Sequence, residues 1–311
     1  MKLKHCLSTI LFLMPIWVVA QNSPVTITYE RSGKGEVTFY ADNISYTPYT
    51  VALTFTRLSG TLSLQEGDTH KATAFSRRKT RLLTLKPVTE NAGIGFSYRS
   101  NITKGDWHAK TDTNFVYLFP LTEGKRVRMN HMVSLEKVLG SDDKSRLTGI
   151  SFQTADGDTI VAARRGIVTE VQDNSASEAE HKSFSAKENF VEICQDDGTF
   201  ARYILFRDNG IFVSPGDQVI PGQPLGIIGG SNYERGSHLR FSIYCPDMHK
   251  FTFVPCFYLS PGKTGKPAVG ELYVSEHPQE IIMQEMSKKE KKKYMEKHVI
   301  VTCLIVFVIS I

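Results

Sequence analysis

The chain has 311 residues, of which 41% are hydrophobic, 22% charged and 10% aromatic, with a formal net charge of +5. That apolar content excludes a disordered or collagen-like chain, because it suffices to offset the entropy of folding. The charge sits at the ends. Lys2 and Lys4 supply two positive charges, and residues 288–297 hold six lysines against Glu290 and Glu296, so subtracting both ends leaves −1 for the remainder. A nucleic-acid partner needs cations spread over a folded face and is therefore excluded. At about 150 residues per domain, the length predicts two domains.

Residues 1–20 combine Lys2 and Lys4 with an apolar stretch from Cys6 to Val19 and a small-residue exit at Ala20. This pattern predicts a signal peptide cleaved after Ala20. An N-terminal anchor is the alternative, which Pro15 disfavours by interrupting the helix. The expected location is exported, in the periplasm or cell envelope. Residues 24–120 alternate apolar and polar with period two, as in Val25/Ile27/Tyr29, Val37/Phe39, Val51/Leu53/Phe55, Leu62/Leu64 and Ile94/Phe96/Tyr98. Short strands at such spacing predict an immunoglobulin-like β-sandwich, and an all-β fold class for the protein. Residues 121–148 read as a connecting segment, with one short helix over 131–139 and a polar loop over 140–145.

A second β domain is expected over 149–275, with a polar insertion over 173–188. Residues 160–168 read as strand, tight turn at Gly166, strand. Phe190 to Ile193 leads into Asp196-Asp197-Gly198-Thr199, a hairpin signal. In the run Gly216-Asp217-Gln218-Val219-Ile220-Pro221-Gly222-Gln223-Pro224-Leu225-Gly226, each glycine is expected at a positive-φ turn. Four cysteines follow the signal, of which Cys245 and Cys256 form either one bridge or two free thiols. Residues 276–298 read as a basic amphipathic helix. Residues 299–311, apolar except for Thr302 and Ser310, would cover about 20 Å as a helix. That short tail is read equally as a marginal membrane anchor, a docking element or a tail without function.

In order and spacing, the strand–Gly–strand unit, the Gly-Asp-x-Val-x-x-Gly-Gln-x-x-Gly segment and the closing His238-Leu239-Arg240-Phe241 resemble the lysostaphin/LytM-type zinc endopeptidases of peptidoglycan. The resemblance covers about residues 147–245, and a β domain ahead of it fits the layout of envelope proteins of this family. It implies a lysostaphin-type, duplicated-hybrid-motif-like β domain. It also implies a zinc held by a His-x-Gly-x-Asp segment and by the second histidine of a closing His-x-His. In this chain those three positions are Leu147, Ser151 and Arg240. The family's Tyr-x-His segment falls on Tyr203-Ile204-Leu205, so Leu205 stands where a catalytic histidine is implied, and His238 is the one family catalytic residue retained. Leucine has no lone pair, a serine hydroxyl is a poor zinc ligand at neutral pH, and arginine is a cation. His131, Asp142, Asp143 and His181 fall in the wrong register to substitute, and His249 lies beyond the closing strand. No metal or cofactor is therefore expected. The expectation is a non-catalytic envelope protein that binds peptidoglycan or regulates a cell-wall hydrolase, with His238, Arg240 and Tyr203 as candidate binding residues. Arg240 would pair with a stem-peptide carboxylate or with a local acid such as Glu234. The alternative is an active zinc metalloendopeptidase with non-standard ligands.

Overall fold

A computed structural model describes residues 23–90, 92–131, 149–175, 187–246 and 251–297. The protein is all-β among these residues, apart from two helical pieces near the C-terminus. The N-terminal unit is a sandwich of two three-stranded antiparallel sheets. One pairs β1 (Val25–Arg31), β2 (Val37–Asn43) and β5 (Arg78–Leu85); the other pairs β4 (Thr69–Ala74), β3 (Tyr49–Ser59) and β6 (Gly95–Lys104). The period-two pattern has its expected cause: Val51, Leu53 and Phe55 on β3 are fully buried, while Ala52 and Thr54 between them are only half-buried. Each such side chain contributes about 1.5–3 kcal/mol by leaving water. Phe39 centres the core, with the rings of Phe55, Phe96 and Tyr98 at 5.6, 5.1 and 5.3 Å.

Leu62 and Leu64 do not form a strand. Thr61 Oγ1 donates to Lys86 O, Ser63 N donates to Thr61 Oγ1, and Lys86 N donates to Ser63 Oγ. These side-chain bonds displace a backbone ladder there, and Leu62 is left exposed. Strands β4 and β5 are absent from the sequence reading. Their buried positions are few and mostly small or isolated (Thr73, Ala74, Leu82, Leu85), so the apolar alternation is weak.

The second unit is built on a larger antiparallel sheet. Its order is β15 (Gln218–Val219), β11 (Gly166–Gln172), β12 (Phe190–Cys194), β13 (Phe200–Ile204), β17 (His238–Cys245), β9 (Ile150–Gln153), β8 (Arg126–His131) and β21 (Leu272–Val274). A short strand, β18 (Phe251–Phe253), also pairs with β17. A small sheet of β10 (Thr159–Val161), β16 (Pro224–Ile228) and β14 (Phe206–Ile211) packs on one face. A third, β20 (Lys263–Gly265), β19 (Cys256–Ser260) and β7 (Val116–Tyr117), adds Tyr117 and Phe257 to the same core. Tyr117, Phe119 and Leu121 pack in this second core, so its hydrophobic content begins ahead of residue 121. The helix expected over 131–139 starts on a residue of β8, and its remainder lies outside the described residues.

The Asp196–Thr199 hairpin forms, with Gly198 N donating to Gln195 O at 3.0 Å. Gly216 and Gly222 have φ of +101° and +82°, as the turns require, whereas Gly226 lies within β16 without a positive φ. Gly166 is not a turn glycine either. It opens β11, where a Cβ would lie 2.4 Å from Ile193 Cγ2 and 2.5 Å from Cys194 O. We expect Gly166→Ala to cost about 1–3 kcal/mol by overpacking this contact, read from the urea midpoint. Cys194, Cys245 and Cys256 form no disulfide with one another, so the Cys245–Cys256 bridge is not formed, and Cys245 Sγ instead lies 2.8 Å from Thr111 Oγ1.

The C-terminal segment departs from one continuous helix. Gln279–Ile282 forms a single helical turn, and a second helix runs over 288–297. The second is started by a capping box: Glu290 N donates to Ser287 Oγ, and Ser287 N donates to Glu290 Oε2 at 2.8 Å. Ile281, Ile282, Met286 and Tyr294 pack against Leu118 and Tyr258. Among the described residues, no helix is long and apolar enough to cross a membrane.

Candidate functional site

The large sheet has two faces, and the alternation of β17 assigns them. Leu239, Phe241 and Ile243 enter the core, so His238, Arg240, Ser242 and Tyr244 share the opposite face. On β9, Ile150 and Phe152 enter the core and Ser151 shares the face of Arg240. Arg240 is cross-strand partner to Ser151 on one side and to Ile204 on the other. The structure thus brings Ser151, Arg240 and His238 together, with Leu205 one residue beyond the paired strand end. Tyr203 does not join them. It is fully buried in the core, where its hydroxyl accepts the amide of Ala163 at 2.9 Å. Desolvation raises its pKa. It is a packing residue rather than a binding one. Leu147, Asp142, Asp143, His181 and His249 lie outside the described residues, and nothing is described of the His131 side chain.

The bonding of His238 fixes its chemistry. Nδ1 bonds Gly236 O at 2.7 Å, and Nε2 receives the Nε–H of Arg240 at 3.3 Å. A carbonyl on one nitrogen and an arginine donor on the other require the neutral Nδ1–H tautomer. Burial lowers the His238 pKa, and the charges of Arg240 and Arg235 push the same way against the Gly236 bond. Neutral imidazole is therefore held through physiological pH. Because the folded-state pKa is depressed, this group's contribution to stability is complete above the unfolded value of 6.5 and declines as pH falls below it. Arg240→Gln removes one of the opposing charges. We expect its His238 pKa to rise toward the ordinary value, measured by NMR titration of the imidazole.

Two residues of the site were not found by sequence reasoning. Tyr233 lies under Arg240, whose guanidinium carbon is 4.8 Å from the ring centroid, and meets the His238 ring edge-on at 5.5 Å. The Tyr233 hydroxyl donates to the Glu188 carboxylate. Burial, then Glu188, raises its pKa well above the usual phenol range. Glu188 therefore joins the site through Tyr233. The one sequence signal for Tyr233 is its place in the Gly230–Gly236 turn that delivers His238. Beside them runs a cleft of about 340 Å³ lined by Asp156, Glu188, Leu205, Arg207, Asp208 and Tyr233 among others. Leu205 adopts φ +88°, an uncommon conformation for a bulky residue that costs about 1–3 kcal/mol. It is held there by Leu205 N to Asn189 O at 2.9 Å and Gly229 N to Leu205 O at 2.7 Å.

The donor set does not fit zinc. Ser151 offers a neutral hydroxyl, Arg240 a fixed cation, and the second nitrogen of His238 is already engaged by Arg240. Among the described residues, no three His, Cys, Asp or Glu side chains cluster as metal ligands.

The model of peptidase family M23 matches residues 145–250. This stretch of the chain is a lysostaphin/LytM-type domain of that family. No curated protein matches the chain. Among solved structures, it is similar to a lytM protein of Ruminococcus gnavus (21% identity, 47% of this chain and 57% of that one, TM-score 0.29). It is also similar to lysostaphin of Staphylococcus simulans (16%, 52% and 52%, TM-score 0.26). Csd3 of Helicobacter pylori is a third (12%, 88% and 84%, TM-score 0.29). The chain spans little more than half the length of the first two.

Proposed function

We propose that this protein is an exported cell-envelope protein whose family M23 domain is non-catalytic and binds peptidoglycan or regulates a cell-wall hydrolase. The observation that carries this reading is the Arg240 Nε–H bond to His238 Nε2, which puts a permanent cation at a ligand position and occupies the retained histidine. Leu205 at the other implied catalytic position has no proton to transfer. Export is supported by the signal-like residues 1–20.

The test measures zinc content and action on isolated peptidoglycan sacculi with the same purified protein. The expected result is no stoichiometric zinc and no released cross-link fragments. The protein should also co-sediment with sacculi, or change the rate of a wall hydrolase added to them. Stoichiometric zinc together with cleavage of the cross-links would overturn the proposal.

A further inference from the structure

The helix over 288–297 carries six lysines in ten residues, and Lys288, Lys289, Lys291, Lys292, Lys293 and Lys297 are all exposed. This arrangement works against the helix. Lys288 and Lys289 occupy the first turn, the positive end of the macrodipole, and Lys288/Lys292, Lys289/Lys293 and Lys293/Lys297 are like-charge pairs one turn apart. One ion pair along the helix offsets little of this, Lys292 to Glu296 at 4.0 Å on the exposed side.

The helix is nevertheless fixed to the second unit. Arg165 Nη2 donates to Glu290 at 2.9 Å and Arg165 Nη1 to Glu285 O at 3.0 Å, while Met286 and Tyr294 face the protein. Bonds from Ser287 and Arg165 lower the Glu290 pKa to about 2, so the clasp is ionised at any physiological pH. The lysines are left on the outward side. Directly after this helix the sequence continues into residues 299–311, eleven of thirteen apolar. Cations at a fixed surface followed by an apolar run match the two parts of an anionic bilayer, its charged headgroups and its acyl boundary. A soluble polyanion would match the first part alone.

We propose that the lysine face of helix 288–297 is a docking surface for an anionic phospholipid bilayer, which it holds against the second unit of the protein. This stands independently of whether the family M23 site is catalytic.

The test is co-sedimentation of the full chain with vesicles of phosphatidylcholine alone, and with vesicles in which about a third is phosphatidylglycerol, at low and high salt. Each lysine near an anionic surface is worth about fivefold in affinity. The full chain is therefore expected to bind the phosphatidylglycerol vesicles at least about 100-fold better at low salt. That preference should vanish when all six lysines are changed to glutamine, and persist when they are changed to arginine. Equal binding to both vesicle types, no binding to either, or a preference that survives the glutamine changes would overturn the proposal. So would tighter binding to heparin than to the anionic vesicles.

Discussion

An Arg164→Ala variant is expected to lose about 3–5 kcal/mol of stability, the cost of leaving two largely desolvated acids without their cation. Arg164 is 2% exposed, yet its guanidinium donates to Asp197 at 2.9 Å, to Glu285 at 2.7 Å and to the Tyr117 hydroxyl at 3.1 Å. Its carbon lies 3.6 Å from the centroid of the Phe115 ring. Desolvation opposes its charge, and the Glu285 bond with the Tyr117 and Asp197 fields more than offsets it. Desolvation likewise opposes ionisation of Asp197, and Arg164 with Thr199 reverses that, holding the carboxyl below the usual range. A depressed folded-state pKa means that the Asp197 contribution is present above the unfolded value of 3.8 and is lost as pH falls through the folded one. In Arg164→Ala that acid-dependent component should shrink. Urea unfolding at pH 7 and below pH 4 checks both claims. Because Glu285 leads into helix 288–297, trypsin should also cut the lysine-rich segment faster in the variant. Arg164→Lys is expected to recover only part of the loss, since one ammonium lacks the fork that spans Asp197 and Glu285.

Glu192→Ala is expected to cost about 3 kcal/mol and to uncouple the two units, from the loss of bonds to a charged acceptor. Glu192 is 1% exposed and lies on the outward face of the large sheet. Its carboxylate accepts from Lys104 at the end of β6 of the sandwich, from Thr169 Oγ1 at 2.9 Å and from the Tyr244 hydroxyl. The Lys104 ammonium also lies 4.9 Å from the Phe200 ring, which stacks on Tyr244. This carboxylate therefore joins sandwich to sheet beside other contacts, among them Tyr46 against Gly216 and Pro246 against Gly105. Calorimetry is expected to show one transition for the native protein and two for Glu192→Ala. Glu192→Gln should retain more of the coupling, because an amide oxygen can still accept from Lys104. A single unsplit transition in the alanine variant would show that apolar contacts carry the joint.

This joint and the candidate site share one face of β17, six residues apart from His238 to Tyr244, about 20 Å along an extended strand. The sandwich is thus attached to the same face that carries Arg240, toward the Tyr244 end of the strand.

Much of this was legible in the sequence, and the reasons are local. Period-two alternation placed β1, β2, β3 and β6, because a strand with one buried face repeats every second residue whatever it packs against. The hairpin at Asp196–Thr199 and the turns at Gly216 and Gly222 follow from glycine's access to positive φ. Ser151 and Arg240, which the family resemblance sets at neighbouring positions, are cross-strand partners, because register carries residue identity onto a shared face. Where local signals were thin, reading failed. Thr73 and Ala74 did not announce β4, and Gly166 and Gly226 owe their identity to neighbours in space rather than to a turn.

The sequence by itself determined the strand content and the second domain's family, since these depend on residue type and short-range order. Tertiary structure alone decided that His238 is held neutral between Gly236 and Arg240, that Tyr233 and Glu188 complete the site, and that Tyr203 is core. It also joined Arg164 to Glu285 across 121 residues and Lys104 to Glu192 across 88. Charge pairing acts through space in a desolvated interior, and chain closure, not local pattern, determines which charges meet there.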